Sequence, residues 1–136
     1  MTTASPFRHR VDVRYLEVDQ QGVVFNMWYL AYFDDAMSHY LAARGLPYQK
    51  MLAGGFDVQL VHVEVDWRGG VSYGDDVEVA VATARTGTTS FAVSFGVHRN
   101  AAPEPIATAE IAYVCVATDG SGTRPLPDEL RTALAA

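Results

Sequence analysis

The chain has 136 residues, of which 49% are hydrophobic and 19% are charged, and its formal net charge is −6 at pH 7. The hydrophobic content argues against disorder, and a chain of this length buries roughly 65–70% of its unfolded surface. We therefore expect one domain over residues 1–136. The acidic balance argues against nucleic acid as a partner, because a phosphate backbone favours a basic face.

The sequence also limits the compartment. Its one cysteine, Cys115, excludes an intrachain disulfide. No run reaches the ~20 apolar residues of a membrane span, and the opening segment MTTASPFRHR lacks the apolar stretch of a signal peptide. We therefore expect a cytoplasmic location and no membrane partner.

The first two predicted elements are a strand and a long helix. Apolar and polar residues alternate in RHRVDVRYLEV, which predicts a strand. The period then changes to three and four, and one helical face carries Leu30, Phe33, Met37 and Leu41. We expect the helix to run from Met27 to Arg44, with Asn26 as its N-cap and Gly45 followed by Pro47 as its stop signal.

Strands follow the helix. The segments VQLVHVEVDW, DVEVAVATA and TSFAVSFGVHR alternate in polarity, and IATAEIAYVCVAT is apolar enough to lie centrally in a sheet. In the first of these the alternation puts Val61, Val63, Val65 and Trp67 on one face. The tail RPLPDELRTALAA predicts a short terminal helix. One long helix and about five antiparallel strands indicate an α+β domain with the sheet curled around the helix.

Several motifs do not lead to a site. GVSYG matches a nucleophile elbow at Ser72, but that motif needs a following helix, and a strand pattern follows instead. The spacing of Asp57 and His62 is also used by hydratases, yet residues five apart on a strand point to opposite faces. The histidines, His9, His39, His62 and His98, show no metal-ligand spacing. We therefore expect no metal and no cofactor.

Asp19 is the strongest catalytic candidate. It lies shortly before the helix, and Gly22 between them allows a tight turn. The free N–H groups at Asn26 and the helix start carry partial positive charge, which stabilises the oxyanion of a thioester carbonyl. Asp19 then attacks the carbonyl or deprotonates a water. The alternative is that Asp19 lies in an ordinary loop before a helix.

The segment RYLEVDQQGVVFNMWYLAYFDDA resembles the signature of the 4-hydroxybenzoyl-CoA thioesterase-like branch of the hotdog superfamily. The residues that carry the match are Tyr15, Asp19, Gly22, Val23, Val24, Phe25, Tyr29, Leu30, Phe33 and Asp34. GVSYGDDVEV and TSFAVSF resemble later segments of the family, so the match extends from about Arg8 to Thr118.

The resemblance implies a hotdog fold, an antiparallel sheet of about five strands around one helix, that acts on acyl-CoA as a homodimer or homotetramer with sites between subunits. Asp19 falls on the catalytic aspartate, beside Gly22, and the Asn26 backbone N–H falls on the oxyanion donor. The implied substrate-binding residues are Phe25, Trp28, Tyr29, Gly54, Gly55, Arg85, Thr88, Thr89 and Ser90.

The roles of some residues stay open. Trp28 and Met37 depart from many members, which leaves the acyl group in doubt. Asp34 either supports Asp19 or is a structural acid, and its place in the apolar stripe predicts partial burial. Arg85 either holds CoA phosphates or is a solvated hairpin residue. The rival functions are an acyl-ligand-binding or scaffolding protein with little activity, and a thioesterase acting on acyl carrier protein.

Overall fold

The structure is a computed structural model that describes residues 7–135. The elements in chain order are β1 (Phe7–Val11), α1 (Trp28–Ala43), α2 (Tyr48–Ala53), β2 (Phe56–Trp67), β3 (Val77–Thr86), β4 (Ser90–Arg99), β5 (Ala107–Ala117) and α3 (Asp128–Leu134). A short 3-10 turn over Tyr15–Glu17 lies between β1 and α1. The expected domain limits, residues 1 and 136, lie outside the described residues.

The strands form one antiparallel sheet in the order β1-β3-β4-β5-β2. Helix α1 packs against this sheet, and the rings of Phe33 on α1 and Phe95 on β4 are 5.0 Å apart. The predicted α+β hotdog architecture is therefore confirmed. Strand β5 lies inside the sheet as expected, and the short terminal helix is present as α3.

Helix α1 differs from the prediction in its apolar face and in its start. Its buried side chains are Tyr29, Tyr32, Phe33, Ala36, Met37, Tyr40 and Leu41. Leu30, which the spacing placed on one face with Phe33, Met37 and Leu41, lies at the margin of the buried face and remains 38% exposed. Asn26 is not the N-cap either. Met27 occupies that position without a side-chain hydrogen bond.

The predicted first strand ends early. β1 stops at Val11, and Tyr15, which the predicted strand included, is 80% exposed. The chain turns here because the Glu17 N–H donates to the Arg14 carbonyl at 2.9 Å, and the Glu17 carboxylate accepts from the Arg14 N–H at 2.9 Å. These local bonds replace the ladder bonds that a longer strand would form.

Strand β2 forms one edge of the sheet and contains a bulge between Leu60 and His62. Because a bulge adds one residue to one strand, Val61 loses the face that it was expected to share with Val63. Val61 is 56% exposed, whereas Val63 and Val65 pack against the core. No helix within residues 7–135 is long and apolar enough to cross a membrane.

Candidate active site

The loop that carries Asp19 is folded back on itself by hydrogen bonds. The Asp19 N–H donates to the Val23 carbonyl at 2.9 Å, and the Gly22 N–H donates to the Asp19 carbonyl at 3.0 Å. Asp19 Oδ1 accepts from the Gln21 N–H at 2.8 Å. Gly22 has a φ of +82°, a left-handed conformation that costs glycine little. The turn therefore holds the carboxylate in one orientation.

Two further contacts anchor this loop to the rest of the protein. The Val24 N–H donates to the Val71 carbonyl at 2.8 Å, in the connection between β2 and β3. The Phe25 N–H donates to the Glu17 carbonyl at 2.9 Å. The loop is therefore fixed on both sides just before the chain enters α1.

The start of α1 supplies the electropositive side of the site. The N–H groups of Trp28 and Tyr29 donate to Phe25 and Asn26 at 2.9 and 3.2 Å. Within residues 7–135, no acceptor is present for the N–H groups of Asn26 and Met27. Such unpaired N–H groups at a helix start carry partial positive charge and suit an anionic oxygen.

Asp19 and Asn26 line the same groove, which has a volume of about 420 Å³. Its other lining residues are Gln21, Val23, Val24, Tyr29, Trp67, Gly69 and Gly70. The structure therefore brings together a carboxylate and a helix start that the sequence placed seven positions apart. Tyr29, expected to bind substrate, forms part of the wall but is buried.

A second, apolar groove of about 380 Å³ continues from the helix start. It is lined by Phe25, Asn26, Met27, Leu30, Val63, Val65 and Trp67. Leu30 and Trp67 were predicted on apolar faces of two separate elements, and the sequence did not predict that they meet in a groove. The signal that could have found it is the number of large apolar residues at both the helix start and the edge strand.

The buried carboxylate of Glu17 lies next to the Asp19 loop and links it to Tyr32 and Arg14. Glu17 is 3% exposed, and it accepts hydrogen bonds from the Tyr32 hydroxyl at 2.6 Å and from Arg14 Nε at 2.9 Å. Burial raises the pKa of Glu17, but the bonds from Tyr32 and Arg14 outweigh burial, and the pKa is lowered overall. Trp28 lies under the Arg14 guanidinium, 5.6 Å from ring centroid to Cζ. Trp28 does not line either groove described above.

Asp34 belongs to a different pocket of about 210 Å³ and is more exposed than its place in the apolar stripe predicted. Partial removal from water raises the pKa of Asp34, and the Tyr113 hydroxyl, at 3.5 Å, opposes this shift. The same pocket contains Tyr48, whose hydroxyl donates to Asp57 Oδ2 at 2.8 Å. Asp34 does not line the grooves that contain Asp19, so within one chain it does not contact that carboxylate.

The remaining expected binding residues lie far from Asp19 in a single chain. Arg85 is exposed near the end of β3, and the hairpin residues Thr88, Thr89 and Ser90 follow it. The Asp19 loop is bound instead to the segment before β3. Val77, at the start of β3, and Arg85 are eight positions apart on the strand, which is roughly 26 Å at 3.3 Å per residue. Gly54 and Gly55 precede β2, at the opposite end of that strand from Trp67.

The motifs set aside in the sequence have local partners. Ser72 lies in a loop followed by β3, and its N–H donates to Asp75 Oδ2 at 2.8 Å. His62 lies 3.2 Å from Glu64, and Asp57 is bound to Tyr48. The histidine spacing, however, was misleading, because the fold brings His9 and His39 together at Asp35.

The comparisons with known proteins agree with this architecture. The sequence model described as the thioesterase-like superfamily matches residues 13–134. A 1,4-dihydroxy-2-naphthoyl-CoA hydrolase from Synechococcus elongatus is 26% identical over 121 residues, which cover 88% of each chain.

Two solved structures are also similar. A hypothetical protein from Aquifex aeolicus has a TM-score of 0.88 and 27% identity, covering 96% of this chain and 100% of that one. A thioesterase complexed with coenzyme A and Zn, from Thermus thermophilus, has a TM-score of 0.76 and 29% identity, covering 93% and 90% of the two chains.

Proposed function

Because the chain belongs to the thioesterase-like superfamily, we propose that it hydrolyses an acyl-CoA thioester to a free acid and CoA. The observation that carries this proposal is the groove that contains both the Asp19 carboxylate and the start of α1 at Asn26. The similar proteins named as a naphthoyl-CoA hydrolase and as a CoA-bound thioesterase support CoA as the carrier.

The chemistry follows from the two charges in that groove. The thioester carbonyl oxygen accepts hydrogen bonds from the N–H groups of Asn26 and Met27, and these bonds strengthen as the oxygen becomes an oxyanion. One such donor is worth about 3–4 kcal/mol in a dry site. Asp19 either attacks the carbonyl carbon, giving an anhydride that water then opens, or takes a proton from the attacking water. In both routes the C–S bond breaks and CoA leaves as the thiolate. In the base route the protonated Asp19 returns its proton to the sulfur, and in the nucleophile route the proton comes from solvent.

The proposed enzyme is at least a dimer formed through β2. This strand has 12 residues, lies at a sheet edge, and exposes Leu60, Val61 and Trp67 by 41%, 56% and 46%. A long edge with apolar residues favours pairing with another strand. Two antiparallel copies of β2 related by a two-fold axis at their middle place the Phe56 end of one beside the Trp67 end of the other.

This pairing accounts for part of the expected binding surface that lies far from Asp19 in a single chain. Gly54 and Gly55 of one copy come to the Trp67 end of the other, which is the end that lines the Asp19 groove. The Asp34 pocket is lined in part by Val58 and Leu60 of β2, so the pairing also brings this pocket beside the same groove. The active site is then shared between two subunits.

The lining of that composite site favours an aromatic acyl group that carries hydroxyl substituents. The apolar groove at Phe25 and Trp67 suits a flat ring, because aromatic side chains pack against ring faces and edges. Asp34 and Tyr113 supply polar groups in the adjoining pocket, and a carboxylate accepts hydrogen bonds from a phenolic hydroxyl. Arg85 on the hairpin is the proposed contact for a CoA phosphate.

The test of the catalytic assignment is Asp19→Asn, with release of free CoA measured over aromatic, short-chain and long-chain acyl-CoAs. The amide keeps the size of the side chain but removes both nucleophile and base, so kcat should fall on the order of 10²-fold or more. Asp12→Asn is the matched control, because the Asp12 side chain is 90% exposed. Near wild-type turnover in Asp19→Asn would refute the assignment. If the wild-type protein released no CoA from any thioester, a binding or scaffolding role would be favoured.

The assembly has its own measurement. Light scattering at micromolar concentration should give at least twice the chain mass of 14.8 kDa, and twice that again if two dimers associate into a homotetramer. Leu60→Lys places a charge at the proposed β2 interface and should shift the particles toward monomers. A wild-type protein that stays monomeric would remove the shared site from the proposal.

A further inference from the structure

A cluster of metal-binding side chains lies at the junction of β1 and α1, in a groove that Asp19 does not line. We propose that His9, Asp35 and His39 bind one divalent transition-metal ion of the zinc type. The candidate ligand atoms of these residues lie within 4.8 Å of one another. The inference rests on this cluster alone and is independent of the thioesterase proposal.

The backbone explains why these residues meet. Asp35 and His39 are four positions apart on α1, so they project from one face of the helix. His9 comes from β1, and its Nε2 lies 2.9 Å from Asp35 Oδ2. A sequence search by ligand spacing misses this arrangement, because 26 positions separate His9 from Asp35.

The distances fit a small ion. Zinc binds imidazole nitrogen and carboxylate oxygen at about 2.0–2.2 Å, so tetrahedral ligand atoms are roughly 3.3 Å apart. The two nitrogen–oxygen separations, His9 Nε2 to Asp35 Oδ2 and His39 Nδ1 to Asp35 Oδ1, are 2.9 and 3.5 Å, on either side of that value. Imidazole and carboxylate are also the ligands that zinc and its neighbours prefer.

Binding requires a local rearrangement of both rings. His9 and His39 now stack, with centroids 3.9 Å apart and planes at 17°, and a metal must lie in the plane of each ring that binds it. The His39 Nδ1 also lies 2.9 Å from the Asp35 carbonyl oxygen, and a bound ion would replace this contact if it used that nitrogen. The His39 side chain is 53% exposed, so the core does not enclose this ring.

The surrounding charges permit a cation. The groove holds three carboxylates, from Asp12, Glu17 and Asp35, against the guanidinium groups of Arg10 and Arg14. Glu17 and Arg14 neutralise each other at 2.9 Å, and Arg10 lies 3.7 Å from Asp12. Asp35 is thus the carboxylate of this groove whose close side-chain contacts are histidines.

A bound ion would cross-link the edge strand β1 to the central helix α1. At present the direct side-chain link between His9 and Asp35 is one hydrogen bond. An ion that binds the folded protein and not the unfolded chain raises the melting temperature by mass action.

The experiment is calorimetric titration of chelator-treated protein with zinc chloride, followed by thermal melts with and without the metal. We expect one zinc ion per chain and a higher melting temperature. His39→Gln and Asp35→Asn should each weaken zinc binding by at least 10-fold and abolish the thermal shift. His62→Gln is the matched control, because His62 is an exposed histidine beside Glu64 on a different strand.

The outcomes separate the proposal from its alternatives. Zinc bound equally well by wild type and His39→Gln would place the ion elsewhere and overturn the assignment. Absence of binding to the wild type would leave the cluster as two stacked histidines that both contact Asp35, and would also overturn the assignment. Urea unfolding without metal shows whether each variant is folded, and the two variants at different residues guard against the failure of one.

Discussion

Replacing Glu17 tests how the fold supports the candidate site. Glu17 lies two residues before Asp19, and its carbonyl accepts from the Phe25 N–H. Its carboxylate Oε1 accepts from the Tyr32 hydroxyl and the Arg14 N–H, and Oε2 accepts from Arg14 Nε. A Glu17→Gln change keeps the shape, leaves one oxygen to accept the first two bonds, and turns an amide donor toward the guanidinium donor.

The expected loss in the free energy of unfolding is moderate, because the two weakened interactions, with Tyr32 and with Arg14, contribute different amounts. Hydrogen bonds to a charged acceptor are worth about 1.5–3 kcal/mol and neutral ones about 1 kcal/mol, so the Tyr32 bond weakens by roughly 1 kcal/mol. The Arg14 side chain is 61% exposed, and loss of its ion pair costs at most about 1 kcal/mol. We therefore expect Glu17→Gln to lower the free energy of unfolding by about 2 kcal/mol. Glu17→Ala should lower it more, since it leaves the buried Tyr32 hydroxyl without an acceptor.

The assay is urea unfolding at fixed protein concentration from neutral to acidic pH. The pKa of Glu17 is lower in the folded state, so its carboxylate stabilises the fold above its unfolded pKa of about 4.3, and that contribution is lost as the pH falls through the folded value. The difference in the free energy of unfolding between wild type and Glu17→Gln should therefore be largest at neutral pH and vanish in acid.

Glu78→Gln provides the control, because its side chain is 41% exposed and its contact with Arg8 is 3.5 Å long. We expect that variant to stay within about 0.5 kcal/mol of wild type at every pH. If Glu17→Gln were as stable as Glu78→Gln, or if its deficit did not change with pH, the role assigned to the buried carboxylate would be wrong.

Three further predictions concern the candidate site. Arg85→Ala should raise KM for full-length acyl-CoA more than it lowers kcat, because a phosphate contact is equal in ground and transition states; an unchanged KM would make Arg85 a solvated hairpin residue. Gly22→Ala should cost about 1 kcal/mol in urea unfolding, since its φ is +82° and no neighbouring atom lies within 4 Å of the added carbon. Asp34→Asn should raise KM for hydroxylated aromatic acyl-CoAs with little loss of stability; a large stability loss would make Asp34 a structural acid.

Much of the fold was predictable because local patterns control it. The three-and-four period of α1 and its stop at Gly45 depend on neighbours in sequence, and the helix ends at Ala43 as expected to within one residue. The Gly45 and Leu46 N–H groups donate back to Ala42 and Leu41 at 3.1 and 2.9 Å, a motif that glycine favours. Strands β3 and β4 bury the alternate residues that their sequences predict.

The errors arise where a residue's environment is set by distant parts of the chain. Leu30 carries a helical spacing, but whether it is buried depends on Val63 and Trp67, which come from an edge strand and leave a groove in one chain. Val61 alternates with its neighbours in sequence, yet a bulge against β5 changes its face. Such features depend on register between strands, and a one-residue shift in register reverses every side chain beyond it.

The same dependence explains why Asp19 could be recognised and its partners could not. The carboxylate, the glycine turn and the helix start are contiguous in sequence, so one segment contains the proposed chemistry. The proposed binding surface is distributed over both ends of β2 and the end of β3. The Trp67 end of β2 lines the Asp19 groove within one chain, whereas the Phe56 end reaches that groove only in the proposed pairing of two copies along the exposed edge. An edge strand β2 that exposes Leu60 and Trp67 within residues 7–135 is thus the structural reason to expect that substrate selection, unlike the position of the proposed catalytic carboxylate, depends on assembly.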